Sequence, residues 1–570
     1  MKSVHKLLVA MAGAGSLVFA SCTEFLREEP KAIRSSNSYY GDVTTLKSGL
    51  MGIYLSFQNL YRDELPYIGE LGTDESIPQF YMPDFNTVFR YQLDANNEMF
   101  VGKWYRKHYE MISRANVVIS RGSSLAASDA EAAAIVAEAK MLRAWAYFRL
   151  AQTYGPVPLV IGETTPPVDY SLPRAPLKDV YGQIVQDMSE ATVEGVLPKE
   201  KSTTEPGRLY YYSAVGLYGK VLLTMASHKE SGKVDAALAK IGREAWGYGS
   251  IAESVEDLYA AAEKELAKVI GHVDLYPEYS HLFCQKFKNT IPENMWEIQF
   301  ASGRPTGNWF LKRYGATTYP FVQERDQRTN GCSVNQIMYN TRLYFTYGEG
   351  DARREWNCSV HAYDYSINDP ETGVPPGLLN INVAEAKTAD APQSWLGCIK
   401  FRWDPDLPLN ASNGEDDYEY MSSNFPLLRY ADVLLMYVEA NLKCNGGSPD
   451  AEATDLFNSL RARARGFDED GDPITAAQTP DFPNLPSNII NADTVLNERM
   501  RELCFESQRW FDLARTGQLD VRYNKNIDDG MMPPNYTPAK IDEHDYLWPI
   551  PQQQIDRSTN KEGFFQNPEY

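Results

Sequence analysis

Histidine and cysteine are scarce in this chain, seven of each in 570 residues, and their scarcity removes whole classes of chemistry. After His5 the histidines are His108, His228, His272, His281, His361 and His544, dispersed so that none stands near another at ligand spacing. The sequence therefore spells no histidine-rich metal centre and no base–nucleophile pair. No HExxH, paired CxxC, G-x-S-x-G or phosphate-cradling glycine loop follows the first 22 residues. Positive charge is also short. Fifty-five Lys and Arg face 76 Asp and Glu, a net charge of −21, which argues against nucleic acid or anionic lipid headgroups as partners. Beyond residue 22 no run approaches the ~18 uncharged apolar residues that a membrane-spanning helix needs.

The first 22 residues, MKSVHKLLVAMAGAGSLVFASC, do carry an apolar run. Lys2, His5 and Lys6 give it a basic start, and Leu7 to Phe19 is uncharged but too short to span a bilayer stably. Ala20 and Ser21 suit a peptidase cleft, and Cys22 follows with a thiol that can be acylated. This resembles a bacterial lipoprotein signal. An ordinary secretory signal with an incidental cysteine is the plainer alternative. The expected layout is a signal over 1–21, a lipid anchor at Cys22 with a polar tether to residue 40, and one domain over 41–570.

Aromatics are plentiful: 36 Tyr, 23 Phe and 10 Trp. Their flat apolar faces with polar handles suit both inter-helix packing and pyranose rings, and packing is expected to claim most of them. Apolar periodicity predicts helices at about 43–61 (after Gly41–Asp42), 99–120, 128–154, 176–193, 207–227 and 254–270. Ser128 and Glu131 read as a capping box. Ser213, Gly216 and Gly219 place small residues where another backbone could approach. Residues 275–424 break the pattern and read as a loop-rich insertion between helical stretches at about 41–274 and 425–570, with strand-like pieces at 295–300 and 397–403. Helix is expected from Phe425, again after a Ser448–Pro449 start, and over 493–516. The class is mostly α, with helical hairpins of tetratricopeptide-like type.

Two clusters look chemical and resolve to structure. Asp468–Glu469–Asp470–Gly471–Asp472 places its glycine wrongly for a calcium loop and reads as a solvated turn. Glu498, Glu502 and Glu506 recur every four residues beside Arg499, Arg501 and Arg509, the pattern of an ion-pair network. Cys444 and Cys504 read as small buried hydrophobes. The spacing allows a disulfide among Cys284, Cys332, Cys358 and Cys398 without fixing its pairing.

The segment LNERMRELCFESQRWFDLARTG resembles the near-C-terminal signature of the SusD/RagB family of outer-membrane nutrient-binding lipoproteins. The fit runs through Glu498, Arg499, Glu502, Leu503, Phe505, Glu506, Arg509, Trp510, Asp512, Leu513 and Arg515. Ser507 stands where the family usually has Gly. EAKMLRAWAYFRLAQTYGPVPLV, FPLLRYADVLLMYVEANL, CTEFL and the terminal PIPQQQIDRSTNKEGFFQNPEY match further family blocks in order, with Glu569 replacing a Gly.

The resemblance implies a helical scaffold under a variable ligand face, no catalysis and no cofactor. It also implies partnership with a SusC-like TonB-dependent transporter that this protein caps as a lid, facing the cell surface. Oligosaccharide is the expected cargo and peptide the alternative. A lipoprotein glycoside hydrolase and a tetratricopeptide-type adaptor are weaker readings. Candidate ligand contacts are aromatics and donors outside helical stripes: Tyr81, Phe85, Asn86 and Arg90 (with Phe80 and Tyr91) in loop 62–98, and Trp309, Tyr314 and Tyr319 in the insertion.

Overall fold

The computed structural model describes residues 40–62, 65–79, 82–164, 169–301, 306–310, 314, 336–358, 361–364, 377–380, 383, 396–401, 421–532 and 538–570. The signal, Cys22 and the tether lie outside this set.

The N-terminal half is helical. Helix α1 (Val43–Arg62) lies on α2 (Lys103–Ala126) and α3 (Ala130–Tyr154), which form an antiparallel hairpin. Nearly every residue of α3 from Ala134 onward is buried, so it runs through the middle of this half. Its cap is Asp129, whose carboxylate accepts the Ala132 N–H at 2.9 Å, and not Ser128, whose hydroxyl turns back to Leu125 O. A carboxylate at the positive end of a helix outcompetes a hydroxyl one residue earlier. Helix α4 (Leu177–Ala191) is fixed to α3 by a two-pronged Arg143–Asp187 pair at 2.8 and 2.7 Å. Helices α5 (Tyr211–Ser231) and α6 (Val255–Ala267) pack closely at Gly219, where a Cβ would lie 2.6 Å from Leu266 Cγ. The short segment after Gly155 forms a bridge, Val157 to Ala175.

Three two-stranded antiparallel sheets are present among the described residues: β1 (Ser76–Pro78) with β3 (Ile337–Tyr339), β2 (Asn294–Ile298) with β6 (Phe425–Arg429), and β4 (His361–Asp364) with β5 (Gly377–Asn380). The β2–β6 pair matters most, because it sets a strand that follows the N-terminal helices beside the strand that leads directly into α7. Phe425–Arg429 is thus a strand and not the start of a helix. Pro426, Leu427 and Leu428 are buried on both faces of a ladder, and the helix α7 (Tyr430–Cys444) begins only after Arg429. Helix α8 (Ala451–Arg465) is capped by Asp450, two residues after the expected Ser448, and forms a hairpin with α7. Cys444, expected to be buried, is exposed at the end of α7.

The expected helix over 493–516 is broken into α9 (Ala492–Leu503) and α10 (Arg509–Arg515). Phe505 and Ser507 between them hold φ of 59° and 57°, left-handed values that disfavour a side chain. Glu569, the other residue standing in place of a family glycine, has φ 67°. Both replacements therefore sit where glycine alone is free of strain.

A buried ionic network forms around the break. Glu502 receives Arg353, Arg429 and Arg463 at 2.8, 2.9 and 2.6 Å. Arg429 also reaches Glu293 and Glu506, both at 2.8 Å, while Lys400 meets Glu506 at 2.5 Å and Arg353 meets Glu498 at 2.6 Å. These side chains are almost wholly shielded from solvent. Burial alone would raise the Glu498 carboxyl, but Arg501 and Arg353 outweigh it and hold it at about 2.

Arg429→Met leaves Glu293, Glu502 and Glu506 short of their shared cation, and removing one partner of a buried pair costs about 3–5 kcal/mol. Urea unfolding of this variant should show a loss of that size. A loss below about 1 kcal/mol would show that the network does not hold these segments together.

Candidate functional site

The two segments singled out for ligand contact meet across one ring. Tyr67, buried, lies 5.5 Å from Phe85 on one side and 5.2 Å, edge-on, from Tyr314 on the other. Loop 62–98 and the part of the insertion that carries Tyr314 are therefore neighbours, although they stand far apart in the sequence and no motif links them.

On the first side, Pro83–Phe89 forms a short helix. Asn86 Nδ2 donates to Gln79 O at 2.9 Å and to Met82 O at 2.8 Å, tying this helix back to the segment that precedes it. Tyr91 has φ 56° and donates its hydroxyl to Gly72 O at 2.5 Å. On the second side, Asn308 and Met421 exchange backbone hydrogen bonds of 2.9 and 3.0 Å, and Asn308 Oδ1 accepts the Phe310 N–H at 3.1 Å. Trp309 is thereby held between two fixed, buried neighbours and is itself half-buried.

These placements correct part of the expectation. Phe85 and Tyr314 are fully buried and Asn86 nearly so. Tyr314 packs against Phe310, Phe401 and Phe505, so its ring is core and not a stacking platform. Asn86 shapes a loop and is shielded from any ligand. Arg90 and Trp309 are half-buried and reach the surface in part. Tyr81, Phe80 and Tyr319 lie outside the described residues. Aromatics amid Gly and Pro read as exposed in the sequence because they follow no helical stripe, but irregular segments also bury rings where two of them meet.

Close to Tyr314 lie two buried carboxyls. Glu75 accepts the Phe505 N–H at 2.7 Å and Glu70 accepts the Ser507 N–H, so this pair holds the left-handed turn between α9 and α10. Burial pushes the Glu75 carboxyl up to about 7, and burial together with Glu75 raises Glu70. Tyr314 is raised by burial and then by Glu70.

Sequence reasoning missed a second opening. A cleft of about 360 Å³ between α1 and β2 is lined by residues including Met51, Tyr54, Leu55, Gln58, Arg208 and Gln299. Its charges are matched internally: Tyr54 donates to Glu138 at 2.7 Å, and Arg208 Nε does so at 3.0 Å. The available signal was Met51 and Leu55, four apart on α1, with Leu55 left 51% exposed. Among the described residues one group could hold a cation, Asp542, His544 and Asp545. There His544 lies 3.0 Å from Asp542 and 3.2 Å from Asp545, and Lys240 pairs with Asp542 at 3.0 Å.

Known proteins share this architecture. The family model described as "SusD family" matches residues 292–570, and one described as "Starch-binding associating with outer membrane" matches 43–229. A SusD-like protein P38 of Formosa agariphila is 24% identical over 513 residues, 88% of this chain and 89% of that protein. A SusD homolog from Bacteroides thetaiotaomicron superposes with a TM-score of 0.72 at 23% identity, covering 94% of this chain and 99% of its own. A laminarin-binding SusD-like protein gives 0.65 at 22%, with 92% and 99% covered. These likenesses show the fold, and they extend over most of the chain.

Two outcomes follow from the buried site. Tyr314→Ala should cost about 3–5 kcal/mol in urea unfolding, the range for deleting a buried ring. Glu75 is protonated in the folded chain up to about 7 but ionises near 4.5 once unfolded. The folded state thus binds more protons between those values, and this group's contribution to stability falls as pH rises through them, by at most roughly 1.4 kcal/mol per pH unit. Glu75→Gln should flatten that part of the stability–pH curve, and an unchanged slope would refute the assignment.

Proposed function

This chain belongs to the SusD family, and from that premise we propose that it binds oligosaccharide or polysaccharide without transforming it. The bound glycan is passed to a SusC-like TonB-dependent transporter that the protein covers as a lid. Acylated Cys22 and the polar stretch after it tether the protein to the outer membrane, facing the cell surface.

The observation that carries the reading is the end-to-end match to glycan binders. Surface glycan-binding protein A of Bacteroides thetaiotaomicron, solved with laminarihexaose, superposes with a TM-score of 0.68, covering 92% of this chain and 99% of its own at 16% identity. Two further features support it. The buried carboxylates of the family signature are committed to arginines that hold the scaffold, which leaves them unsuited to acid–base work on a substrate. The half-buried Trp309 and Arg90 offer a ring face and a donor of the kind that pyranose rings and hydroxyls use. Tyr81 and Tyr319, from the same two stretches of sequence, complete the proposed contact set.

Affinity electrophoresis through gels containing soluble glycans, laminarin among them, tests the reading. At least one glycan should retard the protein, and no glycan product should be released. Trp309→Ala should weaken that binding at least tenfold, about 1.4 kcal/mol, in a variant that still unfolds in one cooperative transition. Retardation by no glycan together with measurable peptide binding would move the cargo to peptide. Release of shortened glycan would overturn the non-catalytic role.

A further inference from the structure

Cys358 and Cys398 stand directly opposite each other in an antiparallel bridge, and both are buried. The hydrogen bond beside them runs from Ile399 N to Asn357 O at 3.1 Å, one residue away from each cysteine. That pattern marks the cysteines as a non-hydrogen-bonded pair, for which Cα atoms lie about 4.5 Å apart and side chains share one face. A disulfide needs Cα atoms about 4.4–6.8 Å apart. That register puts the two Cα atoms in the range a disulfide needs, although both side chains are free thiols in this structure. We propose that Cys358 and Cys398 form a cross-strand disulfide when the chain folds in contact with a thiol oxidant of the disulfide class.

Cys504 is also buried and lies near both thiols, adding to the effect of burial in raising each of them. Its Sγ is engaged by the Tyr347 hydroxyl at 3.6 Å, while Cys444 is exposed at the end of α7. Burial pushes the thiols of Cys358 and Cys398 up, so the finished fold presents little thiolate. The bond consequently forms before the segments close over it. One cysteine thiolate attacks the oxidant's disulfide, forming a mixed disulfide and releasing one oxidant thiolate. The second cysteine thiolate then attacks the bound cysteine sulfur, closing the S–S bond and releasing the other. The two cysteine protons end on the oxidant, which leaves as a dithiol or two thiols.

The bond would join two segments of the ionic network. Cys358 ends the short helix Arg353–Asn357, which carries Arg353, while Cys398 precedes Lys400. It also closes the loop that contains the β4–β5 hairpin.

The test is to refold the reduced full chain in a mixture of oxidised and reduced glutathione, cap free thiols with maleimide in denaturant, and map peptides without reduction. A linked Cys358–Cys398 pair is expected, with the other five cysteines, Cys22, Cys284, Cys332, Cys444 and Cys504, labelled. Both cysteines labelled, or either of them linked to a different cysteine, would overturn the proposal. Adding a phosphine reductant should lower the thermal midpoint of the oxidised parent and of Cys504→Ser. It should leave the double variant Cys358→Ser/Cys398→Ser unmoved, and no shift in the parent would also overturn the proposal.

Discussion

The buried charge network centred on Glu502 is the constraint on which the rest of the fold depends. Its members come from segments far apart in sequence: Glu293 before β2, Arg353 and Lys400 from the insertion, Arg429 at the end of β6, Arg463 on α8, and Glu498 to Glu506 around the α9 break. A charge in so dry a place is costly unless each lone pair and proton is matched. Moving any one segment would leave several charges unmatched at once. The network is therefore a poor source of net stability but a strict specification of where the insertion joins the helices.

That specification extends to the candidate ligand face. The kink between α9 and α10 turns the N–H groups of Phe505 and Ser507 toward Glu75 and Glu70, and the Phe505 ring packs edge-on against Tyr314 at 5.1 Å. Gly69 meets the Ser507 backbone so closely that a Cβ there would fall 2.5 Å from its Cα. Loop 62–98 is thus seated on the scaffold and clamped within itself by Asn86. A binding surface built on irregular segments gains rigidity from such anchoring, which limits the ordering cost of binding.

The long helices were legible because their apolar stripes repeat every three or four residues, and α1, α3 and α4 lie within a few residues of their expected ends. Caps were less so: Asp129 and Asp450 each take the role expected of a nearby serine, since competing cap residues differ by little in sequence but settle by geometry. Phe425–Arg429 has apolar residues that suit a helix equally well, and only pairing with β2 makes it a strand. The α9 break was illegible because nothing local forbids helix through ELCFESQRW. What breaks it is the demand of two distant glutamates for backbone donors.

The sequence by itself determined the helical class, the acidic net charge and the family, because composition, periodicity and ordered motifs are local properties. Tertiary structure decided which aromatics reach the surface and which cysteines face each other. Phe85 and Tyr314 have the local setting of ligand contacts, yet both pack against Tyr67. Cys358 and Cys398 are two of several thiols with no evident partner until a strand register sets them opposite. In each case the deciding fact is a contact between segments far apart in the chain, which no local pattern encodes.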